Sequence, residues 1–117
     1  MRVLIADDHP LIVDGLCSLL EAHGFDVAGT VGDGQAAVNE ALRLEPDLVL
    51  MDIRMPKMDG YATTEQILLH NPRAKIIAQT AYAIAGERQR CLDAGCVDYI
   101  TKPVKIAGFL QIIEKYI

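Results

Sequence analysis

The run Leu48-Val49-Leu50-Met51 leaves this chain few ways to fold. Four consecutive apolar residues are too few for a helix and enough for a strand buried on both faces. Such a strand needs a layer packed above it and another below. The run closes on Asp52, followed by a Pro/Gly loop, Ile53-Arg54-Met55-Pro56-Lys57-Met58-Asp59-Gly60. A carboxylate at the carboxyl end of a central buried strand lies where open α/β sheets place their ligands.

The same punctuation recurs along the chain. Residues 3–6 form a short apolar strand that ends on Asp7-Asp8. His9-Pro10 opens a helix, proline being tolerated in the first turn, and Leu11, Ile12, Gly15, Leu16, Leu19 and Leu20 supply its apolar stripe. His23-Gly24 is a helix stop. Residues 25–31 read as a second strand, closed by Gly32-Asp33-Gly34, and Ala37, Val38, Ala41 and Leu42 mark a helix that stops before Pro46.

After the central strand, residues 61–70 read as a helix with Ile67 and Leu68 inward, stopped by Asn71-Pro72. Residues 75–79 form a fourth strand ending at Thr80. A weak, polar helix spans 84–94, with residues 87–90 solvated and Gly95 as its stop. Residues 97–101 form a fifth strand ending at Lys102-Pro103. Ile106, Phe109, Leu110, Ile113 and Ile117 give a closing amphipathic helix. Strand and helix thus alternate five times, which predicts parallel strands with right-handed crossovers and helices on both faces. The expected fold class is α/β: a five-stranded parallel doubly wound sheet, a flavodoxin-like (βα)5 three-layer sandwich.

Composition narrows the function. A chain of 117 residues is one domain, spanning 1–117. The net charge of −5 and the lack of any basic run beyond two residues argue against direct nucleic-acid binding. No signal-peptide core and no membrane-length apolar run occur, so a soluble, cytoplasmic chain is expected. Cys17, Cys91 and Cys96 are an odd number at no metal-like spacing and read as reduced, mostly buried thiols. His9, His23 and His70 share no helical face and read as solvated. Asp59-Gly60 reads as turn and helix-start chemistry.

The predicted strand ends therefore gather Asp7, Asp8, Asp52, Thr80 and Lys102 around one crevice. Two charged carboxylates about 5 Å apart repel by roughly 3 kcal/mol at an effective dielectric near 20. Either one carboxyl keeps its proton or a cation enters. Hard oxygen donors with room for water suit Mg²⁺. A divalent ion, a lysine and a hydroxyl beside a carboxylate make a receptor for a phosphoryl group carried on that carboxylate. Acids at a helix start would account for one of Asp7 and Asp8 by the helix dipole alone, but not for both together with Asp52.

On these residues the chain resembles the receiver domains of two-component response regulators. The resemblance covers essentially all 117 residues and rests on four motifs in order: Asp7-Asp8, Leu50-Met51-Asp52-Ile53-Arg54-Met55-Pro56 with Asp59-Gly60, Thr80-Ala81, and Lys102-Pro103. It implies that Asp52 is the phosphoacceptor, charged by a sensor histidine kinase or a histidine phosphotransfer protein. It implies a Mg²⁺ site (Mn²⁺ substituting) made by Asp8 and Asp52, by Asp7 mostly through water, and by the backbone carbonyl of Arg54. Lys102 would pair with the phosphoryl oxygens, in a Lys102-Pro103 step like the family's cis peptide. Thr80 would donate its hydroxyl, and Tyr99 would be the aromatic that changes rotamer on activation, although an aromatic in an edge strand is also ordinary packing. The fourth helix, fifth strand and last helix (α4-β5-α5) would then change partner binding, with homodimer formation on phosphorylation a further expectation. The chain would be a self-phosphorylating and self-dephosphorylating switch rather than a multiple-turnover enzyme. Arg54 and Tyr82 would shield the phosphoryl group from water.

Two rivals fit less well. A phosphohydrolase of haloacid dehalogenase type needs an Asp-x-Asp nucleophile near the first strand and its acidic pair late, the reverse of the order here. A flavodoxin-type binding module needs a phosphate loop where this chain has Asp7-Asp8. Residues 6–15 look like receivers joined to helix-turn-helix domains, whereas Thr80-Ala81-Tyr82-Ala83 and residues 98–104 look like receivers of phosphorelays and hybrid kinases. No output domain is expected within the 117 residues, which suits a stand-alone receiver or a segment of a longer protein.

Overall fold

The computed structural model describes residues 1–55, 57–80, 86–101 and 105–116. The chain runs β1 (Arg2–Ala6), α1 (Pro10–Ala22), β2 (Asp26–Val31), α2 (Gly34–Leu44), β3 (Leu48–Asp52), α3 (Gly60–His70), β4 (Lys75–Thr80), α4 (Glu87–Ala94), β5 (Asp98–Thr101) and α5 (Ile106–Glu114). The five strands form one sheet of order β2-β1-β3-β4-β5, and every pair is parallel. This is the expected doubly wound sheet, with β3 at its centre and buried at all five positions. The Cα radius of gyration, 12.6 Å, is that of a compact chain of this length.

Alternation along the strands builds two cores. One face of the sheet (Val3, Ile5, Leu48, Leu50, Ile77, Ile100) packs with Leu16 and Leu20 of α1 and Phe109 and Ile113 of α5. The other (Leu4, Ala6, Val49, Met51, Ile76, Ala78) packs with Ala37, Val38 and Ala41 of α2, Ile67 of α3, and Cys91 and Ala94 of α4. Full burial of each large aliphatic side chain contributes about 1.5–3 kcal/mol, so β3, with four in succession, is the best-anchored strand.

The α1 stripe is narrower than the sequence suggests. It centres on Ile12, Leu16 and Leu20, and Leu11 and Gly15 sit one residue, about 100°, around the helix. Leu11 is consequently 87% exposed. Leu42 is likewise turned outward at the edge of the α2 stripe.

Helix ends follow local chemistry. The carboxylates of Asp33 and Asp59 cap α2 and α3, accepting from the backbone N–H groups of Ala36 at 2.8 Å and Ala62 at 2.9 Å. Asp59-Gly60 is thus the helix-start signal expected of it. α2 ends on Glu45 in the left-handed region, where glycine is more usual. α4 begins and ends on Gly86 and Gly95, both at positive φ. The expected start of this helix at Ile84, and the motif residues Pro56, Ala81, Tyr82, Lys102 and Pro103, lie outside the described residues.

Candidate metal centre

β1 and β3 are neighbours, with Ala6 level with Met51, so the residues that follow each of them emerge side by side. That register brings Asp7, Asp8 and Asp52 together at the carboxyl edge of the sheet. One ligand atom from each, with one from His9, lies within 4.8 Å of all the others. Asp7 and Asp52 are buried, each 3% exposed, and Asp8 stands at the rim. A cleft of about 380 Å³ opens beside them, lined by Asp7, Asp8, Pro10, Val13 and Thr30 among others.

The backbone holds Asp52 in place from several sides. The Arg54 N–H donates to Asp52 Oδ1 at 3.2 Å. The Ile53 N–H donates to the Gln79 carbonyl at 3.1 Å, and the Gly60 N–H to the Ile53 carbonyl at 2.8 Å. α3 starts so close to the end of β3 that a Cβ at Gly60 would lie 2.7 Å from both the Asp52 carbonyl oxygen and the Ile53 Cα. Only glycine allows this approach. The loop between them also holds Lys57 at a φ of 70°, the left-handed region.

His9 departs from its reading as a solvated histidine. Its side chain is 56% exposed, yet Nδ1 points inward, 2.8 Å from Asp7 Oδ1, 3.2 Å from Asp8 Oδ1 and 3.6 Å from Asp52 Oδ2. Its backbone N–H also donates to Asp7 Oδ1 at 2.9 Å. The cause is local: the residue before a proline is driven to extended backbone, and His9 has φ −101° and ψ 100°. Helical spacing could not reveal this, because Asp7, Asp8 and His9 lie in the link between β1 and α1.

Thr80 ends β4 as expected and is buried. Its hydroxyl donates to Glu87 Oε1 in the first turn of α4, at 3.3 Å. Tyr99 is half-buried on β5, level with Ala78, and packs against the α2-α3-α4 side of the sheet. Lys102 lies outside the described residues. Gln79 was not singled out from sequence. It is level with Asp52 and fully buried, and among the described residues neither polar atom of its amide has a hydrogen-bond partner. A glutamine inside an apolar strand was the signal available.

The cysteines are free thiols. Burial pushes Cys96 up to about 11 and raises Cys91 as well, so neither is a reactive thiolate at neutral pH.

Three carboxylates within this space repel one another strongly unless a proton or a cation intervenes. Their hard oxygen donors, partly open to water at Asp8, fit a Mg²⁺ ion. Comparison with known proteins agrees. The family described as the response regulator receiver domain matches residues 3–114. The chain is 39% identical over 113 residues to the transcriptional regulatory protein PdtaR of Mycobacterium tuberculosis, covering 97% of this chain and 55% of that protein. It is 40% identical over 121 residues to the sensor histidine kinase GacS of Pseudomonas protegens, covering 98% of this chain and 13% of the kinase. The chain therefore spans about half the length of the curated regulator and a small part of the kinase. The receiver domain of the sensor histidine kinase PA1611 from Pseudomonas aeruginosa, solved with a magnesium ion coordinated in its active-site cleft, superimposes with a TM-score of 0.89 at 38% identity, covering 98% of this chain and 95% of that one. A chain of the CheX-CheY-BeF3-Mg complex of Borrelia burgdorferi gives a TM-score of 0.94 at 31% identity, covering all of this chain and 90% of that one. A five-stranded parallel sheet with an acidic cluster at its carboxyl edge, matched along nearly its whole length, identifies the chain as a receiver domain of two-component signalling, a member of the response regulator receiver family.

Proposed function

We propose that Asp52 is the phosphoacceptor of this receiver and that Asp8 and Asp52, with Asp7 through water and the Arg54 carbonyl, hold a Mg²⁺ ion. The observation that supports this most is the burial of Asp52 at the end of the central strand, facing acids from a different strand. An Asp52 oxygen attacks the phosphorus of a phosphohistidine. The new O–P bond forms as the P–N bond breaks, and the histidine nitrogen leaves with the bonding pair. When bound, the ion supplies positive charge that offsets the carboxylates and the phosphoryl oxygens. Lys102 pairs with the same oxygens. Thr80 exchanges its bond to Glu87 for one to the phosphoryl group, and Tyr99 takes up the space vacated.

Receiver domains pair with sensor histidine kinases, and the similarity to a kinase's own sequence accords with that. The donor in this reading is such a kinase or a histidine phosphotransfer protein. The output is altered binding by the α4-β5-α5 face, with homodimer formation on that face. The domain acts as a self-phosphorylating and self-dephosphorylating switch without multiple turnover, in the cytoplasm, and Mn²⁺ replaces Mg²⁺. Among the described residues no helix is long and apolar enough to cross a membrane. Acetyl phosphate with Mg²⁺ should label the native chain, and Asp52→Asn or a chelator should abolish the label. Labelling that survives Asp52→Asn would move the acceptor elsewhere.

A further inference from the structure

From its place in the sheet we infer that Gln79 helps to bind the phosphoryl group, its side-chain N–H donating to a phosphoryl oxygen carried on Asp52. The inference rests on the acceptor proposed above and adds a contact that reading does not contain. Gln79 has Asp52 level with it on β3 and Ile100 level with it on β5. Paired residues of parallel strands point to the same face, and neighbouring strands lie about 4.8 Å apart. Leu50 and Ile77, each two residues earlier on its strand, pack with Ile100 against α1 and α5, which fixes the shared face. The amide therefore has an apolar side chain on one flank and the carboxylate of Asp52 on the other.

Buried amides in folded proteins are paired, and one left unpaired costs the fold the desolvation of its polar atoms. Gln79 is 0% exposed, and among the described residues neither Nε2 nor Oε1 has a partner. Since both atoms lack one, either orientation of the amide leaves a donor to be filled. An aliphatic residue would avoid that cost in a strand that otherwise reads Ile76-Ile77-Ala78. The glutamine side chain is one methylene longer than that of aspartate. From a level base it reaches past the Asp52 carboxyl, to where a group bonded to that carboxyl would lie. Its base is tied to the acceptor strand, because the Gln79 carbonyl accepts from the Ile53 N–H at 3.1 Å. The phosphoryl group supplies an acceptor for this donor, so the cost carried by the free fold is recovered on phosphorylation.

The probe is beryllofluoride with Mg²⁺, a tetrahedral phosphoryl mimic that binds a carboxylate oxygen, added to the full chain and followed by ¹⁹F nuclear magnetic resonance. Gln79→Met conserves volume and removes the amide, and Gln79→Leu repeats the comparison with a second shape. The dissociation constant should rise about tenfold in both, equivalent to about 1.4 kcal/mol. The solvent H/D isotope shift of one bound fluorine should shrink, a readout that packing alone does not move. Without the probe, both variants should unfold at a urea concentration no lower than the native chain. Unchanged affinity overturns the inference, and so does weaker affinity with every isotope shift intact, which is a packing effect. Variants less stable than the native chain without the probe also overturn it, since the amide is then already paired in the free fold by a resident water. Native binding of beryllofluoride by Asp52→Asn would remove the acceptor and the inference together. Loss of binding in Asp52→Asn with native binding in both Gln79 variants would leave the acceptor standing alone.

Discussion

α3 and α4 pack on the same face of the sheet and are built on opposite plans. α3 has eleven residues, a carboxylate N-cap from Asp59, and Gly60, Tyr61, Thr63, Thr64 and Ile67 buried. α4 has eight residues, begins on Gly86 with no side-chain cap, and buries only Cys91 and Ala94. The strands beside them differ in the same way: β3 is buried throughout, whereas β5 has four residues and one that is buried. The acids sit on the well-anchored side, and the surface proposed to change sits on the other. Local stability follows buried apolar contact and satisfied helix ends, so the α4 side is the segment a local charge event can shift at small cost. Thr80, which bonds to Glu87, and Arg90, whose guanidinium lies 4.2 Å from the centre of the Tyr61 ring, are where the two plans meet.

This contrast can be broken by substitution. The largest effect is expected from truncating the anchor. Ile67→Ala should cost about 2–5 kcal/mol in urea unfolding, the range for a buried aliphatic cut to alanine. The half-buried Leu92→Ala on α4 should cost clearly less. Equal losses would show that α4 is as firmly held as α3.

Gly60→Ala comes next. Its methyl group would press on the Asp52 carbonyl and the Ile53 Cα, and overpacking of this kind costs about 1–3 kcal/mol. The same substitution should reduce the rate of acetyl phosphate labelling, because the backbone of the proposed acceptor, Asp52, must shift. A Gly60→Ala chain with native stability and labelling would mean that α3 does not brace Asp52.

The smallest effect concerns the caps. The Asp33 carboxyl is held below its usual range, chiefly by the Ala36 N–H, with Lys57 contributing. A carboxylate depressed by folding stabilises the folded state above its unfolded pKa, about 3.9, and that contribution is lost as pH falls through the lower folded value. Asp33→Ala should therefore lower the melting temperature at pH 6, and the gap from the native chain should narrow as pH drops below about 4. A gap independent of pH would assign the effect to helix propensity instead.

Much of this was legible in the residues themselves. Leu48 to Asp52 announced a central strand because no other element buries four apolar side chains in succession and then stops on an acid. Asp59-Gly60 read correctly as a helix start because capping is a local property. The acids converge because parallel strands carry their ends to one edge, a consequence of alternation alone. What stayed hidden depends on direction. Leu11 belongs to the periodic stripe by count but lies at its margin by angle. The inward turn of His9 comes from extended backbone before Pro10, a rotation that no spacing rule encodes. Gly34 permits contact with α3 and the loop before it, where a Cβ would lie 2.4 Å from both Thr63 Oγ1 and the Met58 carbonyl oxygen, and nothing local to Gly34 foretells those neighbours. The roles expected of Lys102 and Tyr82 fall outside the described residues.

The close seat of α3 at Gly60 has one further consequence. With a helix butted against its back, the Asp52 main chain has little room to recoil under the phosphoryl group proposed for its side chain. On the proposed reading the displacement passes sideways into the neighbouring strand, whose tip, Thr80, donates its hydroxyl to Glu87 of the next helix. In that reading the signal leaves at right angles to the strands, toward the thinly fastened flank, because α3 blocks the route behind Asp52.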